Sequence, residues 1–299
     1  MAKGTLTISI DLELAWGVWD RVTPEALHFA ENAERPICAA LIDLFDRYDV
    51  PVTWATVAAL LDPKSAEERP GPASCWYAPD VIEQIQRASA RHEIGSHGGR
   101  HIDLAAAAAP EADADLHFAG ELHRRHGLPF RSFVFPRNRI GNLAAVARAG
   151  LQVFRGRDVG WTNAAGRGGR WAAKAANLAD KALPIAPCAV APQREAALIN
   201  LPGSMLLIGR NGPRRFVLPT VTRAKLAMGL DRAIRDGATF HLWFHPSNFY
   251  YRRNEQLDTL AHFLGLAAEE SRRGRIVIET MGQYAERISD DSPALAAIQ

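Results

Sequence analysis

Eight short apolar runs, at about 5–11, 51–57, 93–97, 131–136, 151–155, 199–208, 239–245 and 275–279, recur along this chain with segments of helical period between them. The clearest helical periods cover 35–48, where Ile37, Leu41, Leu44, Phe45 and Tyr48 share a face, then 79–91, 112–126, 142–149, 223–236 and 255–273. Pro51, Gly71-Pro72, Pro110, Pro129, Gly141 and Gly237 punctuate them. A helix between two strands carries the chain back to the end where it began, so alternation of this kind implies parallel strands joined by crossovers. Roughly eight such strands point to a closed or nearly closed barrel rather than an open sheet.

The 299 residues, 47% of them hydrophobic, can build one barrel-sized domain or two ordinary ones. One stretch breaks the rhythm. From 161 to 192 the chain is rich in Ala, Gly and Arg, with one helix expected near 171–183, and it reads as an insertion of the kind that often lies over a site. Charge is nearly balanced, 35 basic against 33 acidic residues, so the whole-chain balance gives no argument for nucleic acid or an anionic membrane as partner. The short basic cluster Arg210 to Arg215 reads as a solvated loop. Cys38, Cys75 and Cys188 are far apart and without CxxC spacing, as expected of reduced thiols. The start runs directly into the first strand, and no stretch of about 18 apolar residues exists. The expectation is a cytoplasmic protein without a membrane span.

Four clusters can carry chemistry, and each falls at the expected C-terminal end of a strand, the face on which parallel barrels build their sites. Asp11 and Glu13 end the first strand and project to one side, because side chains alternate along a strand. Neighbouring carboxylates repel unless one is protonated or a cation lies between them. His97 and His101, four residues apart after Glu93-Ile-Gly-Ser96, have metal-ligand spacing. With one carboxylate they make a two-histidine, one-carboxylate metal set with open positions, and the spare carboxylate can serve as general base. In Phe133-Val-Phe-Pro136-Arg137-Asn138-Arg139, backbone N–H groups after Pro136 can face an oxyanion, while Arg137 or Arg139 can orient the base. His241, Trp243 and His245 share a face of an apolar strand, and His245, just before Pro246, suits a general acid.

These residues resemble the NodB-type polysaccharide deacetylases, carbohydrate esterase family four, over most of the chain. The resemblance implies a distorted (β/α) barrel of seven or eight parallel strands, formed by a single NodB homology domain over 1–299. It implies metal-dependent removal of an N-acetyl or O-acetyl group from a sugar. Asp11 would be the base and Glu13, His97 and His101 the metal ligands. Gly98 stands where the family's second motif has a hydroxyl residue, and Arg137 follows Pro136 where the third motif has arginine before the proline; Arg137 would substitute. His245 matches the histidine of the fifth motif, and Asp158 and Trp161 are candidates for the fourth. Trp16, Trp19, Phe135 and Trp243 are candidates to stack on a sugar ring. Zinc suits the ligand set, and nickel, cobalt or manganese would fit. The wording from Trp243 to Phe249 looks most like the subset linked to surface polysaccharide assembly. Two rival readings are hydrolysis of a cyclic amide or ureide on the same barrel, and a barrel that binds carbohydrate without turnover.

Overall fold

Each of the eight apolar runs forms strand in the computed structural model, which describes residues 3–160 and 179–290. In chain order the strands are β1 (Gly4–Leu12), β2 (Thr53–Thr56), β3 (Glu93–Ser96), β4 (Ser132–Val134), β5 (Val153–Gly156), β6 (Gln193–Glu195), β7 (Leu198–Pro202), β8 (Met205–Leu206), β9 (Thr239–Phe244) and β10 (Ile276–Ile278). All their pairings are parallel except that of β6, a short strand not expected from sequence, which pairs antiparallel with β7. The run expected as one strand over 199–208 is two, because the chain bends at Gly203-Ser204. That bend curls the sheet round on itself: β7 pairs with β5 and β8 with β9, while β9 and β2 flank β1. β10 extends the β2 edge of β1 at Gly4 to Leu6. This is the distorted (β/α) barrel of mostly parallel strands that the alternation implies.

β1 runs through the centre and is buried along its whole length. Its alternation is the reverse of an ordinary half-buried strand. Leu6, Ile8, Ile10 and Leu12 belong to the main apolar core with the flanking helices, each worth roughly 1.5–3 kcal/mol of burial. Thr7, Ser9 and Asp11 face the other way, into the barrel, where they are also buried. Helix Pro219–Asp236 lies close on this layer, since a Cβ on Gly229 would sit 2.6 Å from the Phe240 ring.

Among the helices, two departures from the sequence expectation bear on the site end and the opposite end of the barrel. The helix expected over 35–48 is found as Arg35–Tyr48, but helical chain already begins at Pro24–Phe29 and passes through a π-helical turn, Ala30–Glu34. Pro36 reads as a helix start because it has no N–H to donate; here the wider turn before it accommodates that missing donor. The second difference is a helix at Met281–Asp290, which stoppers the N-terminal end of the barrel. Met281 N–H donates to Thr53 Oγ1 and Gly282 N–H to Glu93 Oε2, and Tyr284 bonds Thr239, so three strand starts are tied to it. Residues 161–178, which hold most of the expected insertion and helix, lie outside the described residues. No described helix is long and apolar enough to cross a membrane.

Candidate metal centre

With the N-terminal end stoppered, the open end is the one where β1, β3 and β9 finish, and they deliver five chemical groups to it. Glu13 follows β1 at a turn in which Leu14 takes φ +45°, a left-handed conformation that turns the chain sharply out of the strand. His97 follows β3, and the loop then passes through Gly98 (φ +81°) to His101 (φ +58°). Glycine at position 99 answers a close approach, because a Cβ there would meet the Asp115 carbonyl oxygen at 2.5 Å. The Asp115 carboxylate accepts the N–H groups of Gly99 at 2.7 Å and Arg100 at 2.8 Å, so the backbone between the two histidines is fixed from helix Ala109–Arg125.

His97 Nδ1–H donates to the Val134 carbonyl at 2.8 Å, leaving Nε2 of the neutral ring with a lone pair aimed at Glu13 Oε1, 2.9 Å away. Two lone pairs at that distance repel unless a proton or a metal cation lies between them. His101 Nε2 converges on the same oxygen at 3.2 Å, and its Nδ1 is buried with no hydrogen-bond partner among the described residues. Two imidazole nitrogens and a carboxylate oxygen, all within 4.8 Å of one another, form a donor set suited to a divalent ion with open positions. These residues therefore fit the metal that the resemblance implies.

His245 Nε2 stands 3.5 Å from both Glu13 Oε1 and Asp11 Oδ2, linking the candidate donor set to the second carboxylate. Burial opposes its charge, but the two carboxylates outweigh it and raise its pKa to about 9. Asp11 is buried, which favours its neutral form; the Arg155 guanidinium, helped by His245 and His97, reverses this and holds it below the usual carboxylate range. Burial works the same way on Glu13, and His245 and His101 bring its carboxyl well below that range.

The arginine that grips Asp11 is not the expected one. Arg155 on β5, itself buried, makes a bidentate pair with Asp11 at 2.6 and 2.7 Å, while Arg137 pairs with Asp20 across the surface at 2.7 Å. Arg137 lies after β4 in a left-handed turn at φ +59°, and Arg139 pairs with Asp103, so neither is paired with Asp11. The Asn138 and Arg139 N–H groups are bonded within that turn, to Phe135 and Pro136 carbonyls. Arg155 was legible in principle: it is a charged residue inside the apolar run Leu151-Gln-Val-Phe-Arg155. Its guanidinium also donates to Ser9 Oγ at 3.1 Å and to Asn138 Oδ1 at 3.2 Å, and stacks on the Trp243 ring at 4.2 Å. Ser9 Oγ also lies 2.9 Å from His241 Nε2, in a hydrogen bond whose direction follows the imidazole tautomer. His241 is held neutral by its surroundings: burial, then the nearby Arg155, pushes its pKa down to about 3.

The expected sugar-stacking residues separate into two groups. Trp16 and Phe135 are fully buried: Trp16 donates its indole N–H to the Trp76 carbonyl, and Phe135 packs between Phe133 and Phe154. Neither presents a face to a ligand. Trp19 donates to the His101 carbonyl at 3.1 Å. Trp243 lies between Arg155 and His245 and donates its indole N–H to Asp158 at 2.7 Å, joining Asp158 to the site; Trp161 lies outside the described residues. A buried carboxyl missed by sequence reading, Glu34 of the π-helical turn, also faces this end. Burial, then the Glu13 charge, raises its pKa to about 8.

No protein-family profile matches the chain, and no curated protein matches it. Solved structures do. A Mycobacterium smegmatis protein assigned as a polysaccharide deacetylase superposes with TM-score 0.65 at 16% identity, over 97% of this chain and 92% of that one. One from Pseudomonas aeruginosa PAO1, with the same assignment, gives 0.63 at 16%, over 98% and 93%. The allantoinase PuuE also gives 0.63 at 16%, over 98% and 92%. The chain therefore has the fold of the NodB-type polysaccharide deacetylases.

Proposed function

We propose that this protein is a metal-dependent carbohydrate deacetylase, a hydrolase that removes an acetyl group, N-acetyl foremost, from a sugar or polysaccharide precursor in surface polysaccharide assembly. The observation that carries the reading is the division of labour between two carboxylates one residue apart. Glu13 meets His97 Nε2 and His101 Nε2, whereas Asp11 is locked to Arg155. Glu13, His97 and His101 would hold the cation, zinc being the best match to two imidazoles and a carboxylate, with nickel, cobalt or manganese as alternatives. A divalent ion bound there supplies Lewis acidity, making a water more acidic and an acyl carbonyl more electrophilic.

The side chains supply the rest. Asp11, kept ionised by Arg155, accepts the proton of the attacking water. His245 donates a proton to the departing amine from its position 3.5 Å from Asp11, whose charge favours the protonated ring. Trp243, held by Asp158, packs between His245 and Arg155 and fixes the acid relative to the base.

The allantoinase similarity keeps a second reading in view, hydrolysis of a small cyclic amide or ureide, because the fold matches both classes about equally. The test is an assay on metal-loaded protein, with acetate release followed from N-acetyl sugars on nucleotide and lipid carriers and ring opening followed from allantoin-like ureides. Acetate release that is lost in Asp11→Asn supports the proposal. Ring opening without acetate release replaces it, and glycan binding with no turnover of either kind makes the chain a binding barrel.

A further inference from the structure

The exposed large hydrophobic side chains among the described residues are Val159, Leu183, Phe216, Leu218, Tyr250 and Tyr251, and all lie in the connections that follow β5, β8 and β9. Those connections leave the barrel at the end that carries Glu13, His97, His101 and His245. Phe216 and Leu218 are 72% and 62% exposed, although Val217 between them is buried. This is not a slack loop. Arg210, buried and so unlike the solvated residue expected from sequence, donates to the Val217 carbonyl and to Gln256 Oε1, and Gln256 in turn donates to the Ile208 carbonyl. The backbone is clamped at Val217, so its two neighbours are turned outward by construction.

The second connection lies beside the first, since Gly209 is packed against Asn248 closely enough that a Cβ would sit 3.2 Å from the Asn248 Cα. It ends in Tyr250 and Tyr251, 42% and 52% exposed, with rings 4.9 Å apart. Basic side chains outnumber acidic ones around them. Residues 207–218 contain Arg210, Arg214 and Arg215 and no acid, and residues 245–255 contain Arg252, Arg253 and one acid, Glu255. Glu255 lies 3.7 Å from the buried Arg210 and 3.5 Å from Arg252, so the outward-facing excess rests mainly on Arg214 and Arg215. Arg215 stacks over the Phe216 ring at 4.8 Å, keeping a cation beside the most exposed aromatic. The near-zero charge of the whole chain conceals this local excess.

We propose that this rim docks on an anionic lipid surface. Exposed aromatic and aliphatic side chains interleaved with arginines match the boundary between acyl chains and negatively charged headgroups: the apolar tips enter, and the guanidinium groups stay with the phosphates. A purely apolar protein partner would leave Arg214 and Arg215 without counter-charge. His245 opens the same connection that ends in the two tyrosines, so docking holds the candidate site against the lipid surface. Resting on the deacetylase reading, this points to an acetylated sugar borne on an anionic lipid carrier.

The full chain is tested by co-sedimentation with phosphatidylcholine vesicles, with and without phosphatidylglycerol as a minority component. Binding is expected only to the anionic vesicles and is expected to fall with added salt. Phe216→Ser with Leu218→Ser, and separately Arg214→Glu with Arg215→Glu, should each weaken it by about tenfold or more while leaving the thermal melting temperature unchanged. Absence of binding to anionic vesicles, equal binding by parent and variants, or a dimer that Phe216→Ser dissociates and that ignores vesicles would overturn the proposal. Turnover is not read in this assay, so failure of docking and failure of the deacetylase reading are separable.

Discussion

Two carboxylates one residue apart on one strand would ordinarily share a fate, and Arg155 separates them. Its bidentate pair with Asp11 keeps that group an acceptor while Glu13 faces the histidines. Arg155→Met should lower kcat about a hundredfold or more with bound metal retained, measured by turnover beside metal analysis; loss of metal with the arginine would mean that it organises the ligands instead. His245 gives the pH dependence. Without metal, and against burial, Glu13 and Asp11 raise its pKa to about 9; a cation on Glu13 would offset the Glu13 charge and leave Asp11 to hold it up, so the acid-dependent rate should decline as pH rises through a value between about 6.5 and about 9. A profile still climbing at pH 10 would exclude it as the acid. At this scale the sequence was legible where spacing carries the chemistry, as in Asp11, Glu13, His97, His101 and His245. It misled where a partner comes from a distant strand. Arg137 looked suitable because it follows a strand end, yet only the curl of the sheet shows that β5 aims Arg155 at β1.

The elements that hold the site are short connections braced by side chains from elsewhere. Asp115 is the clearest case: it lies on a helix, touches neither histidine ring directly, and fixes the N–H groups of Gly99 and Arg100 between them. Asp115→Ala should reduce metal affinity about tenfold to a hundredfold, read by competition with a chelator, and unchanged affinity would show that the loop holds its shape alone. All eight strand runs were readable because each is apolar and bounded by turn residues. The helix at 281–290 was not, since its role is to fill the barrel end formed by β1, β2, β3 and β9, a surface with no counterpart in local sequence. The π-helical turn at 30–34 was hidden for a related reason: Arg35-Pro36 imitates a helix start.

For the molecule as a whole, the buried polar interior sets a characteristic response to acid. His92, His123 and His241 are buried, and burial lowers their pKa values to about 4, 4 and 3. The unfolded chain therefore binds more protons than the folded one as pH falls below 6.5, and stability should drop by on the order of 2 kcal/mol for each histidine by pH 4.5. Glu34 acts in the opposite sense. Its pKa is raised to about 8, so its contribution is full below pH 4.5 and is lost as pH rises through 8. Urea unfolding should thus show a falling midpoint between pH 6.5 and 4.5, with a steeper fall in Glu34→Gln, which lacks the opposing slope. Equal slopes in the two proteins would mean that Glu34 is ionised in the folded state. Closure of the barrel through the bend at Gly203-Ser204 was only half legible, because a single apolar run over 199–208 does not reveal that its two ends serve different neighbours.

The most direct measurement is metal content of the purified protein beside three variants, with turnover followed on the same samples. A cation held by Glu13, His97 and His101 predicts that His97→Ala with His101→Ala loses the metal, that Glu13→Ala binds it more weakly, and that Asp11→Asn keeps it while losing activity. A double-histidine variant that retains as much metal as the parent would contradict the account.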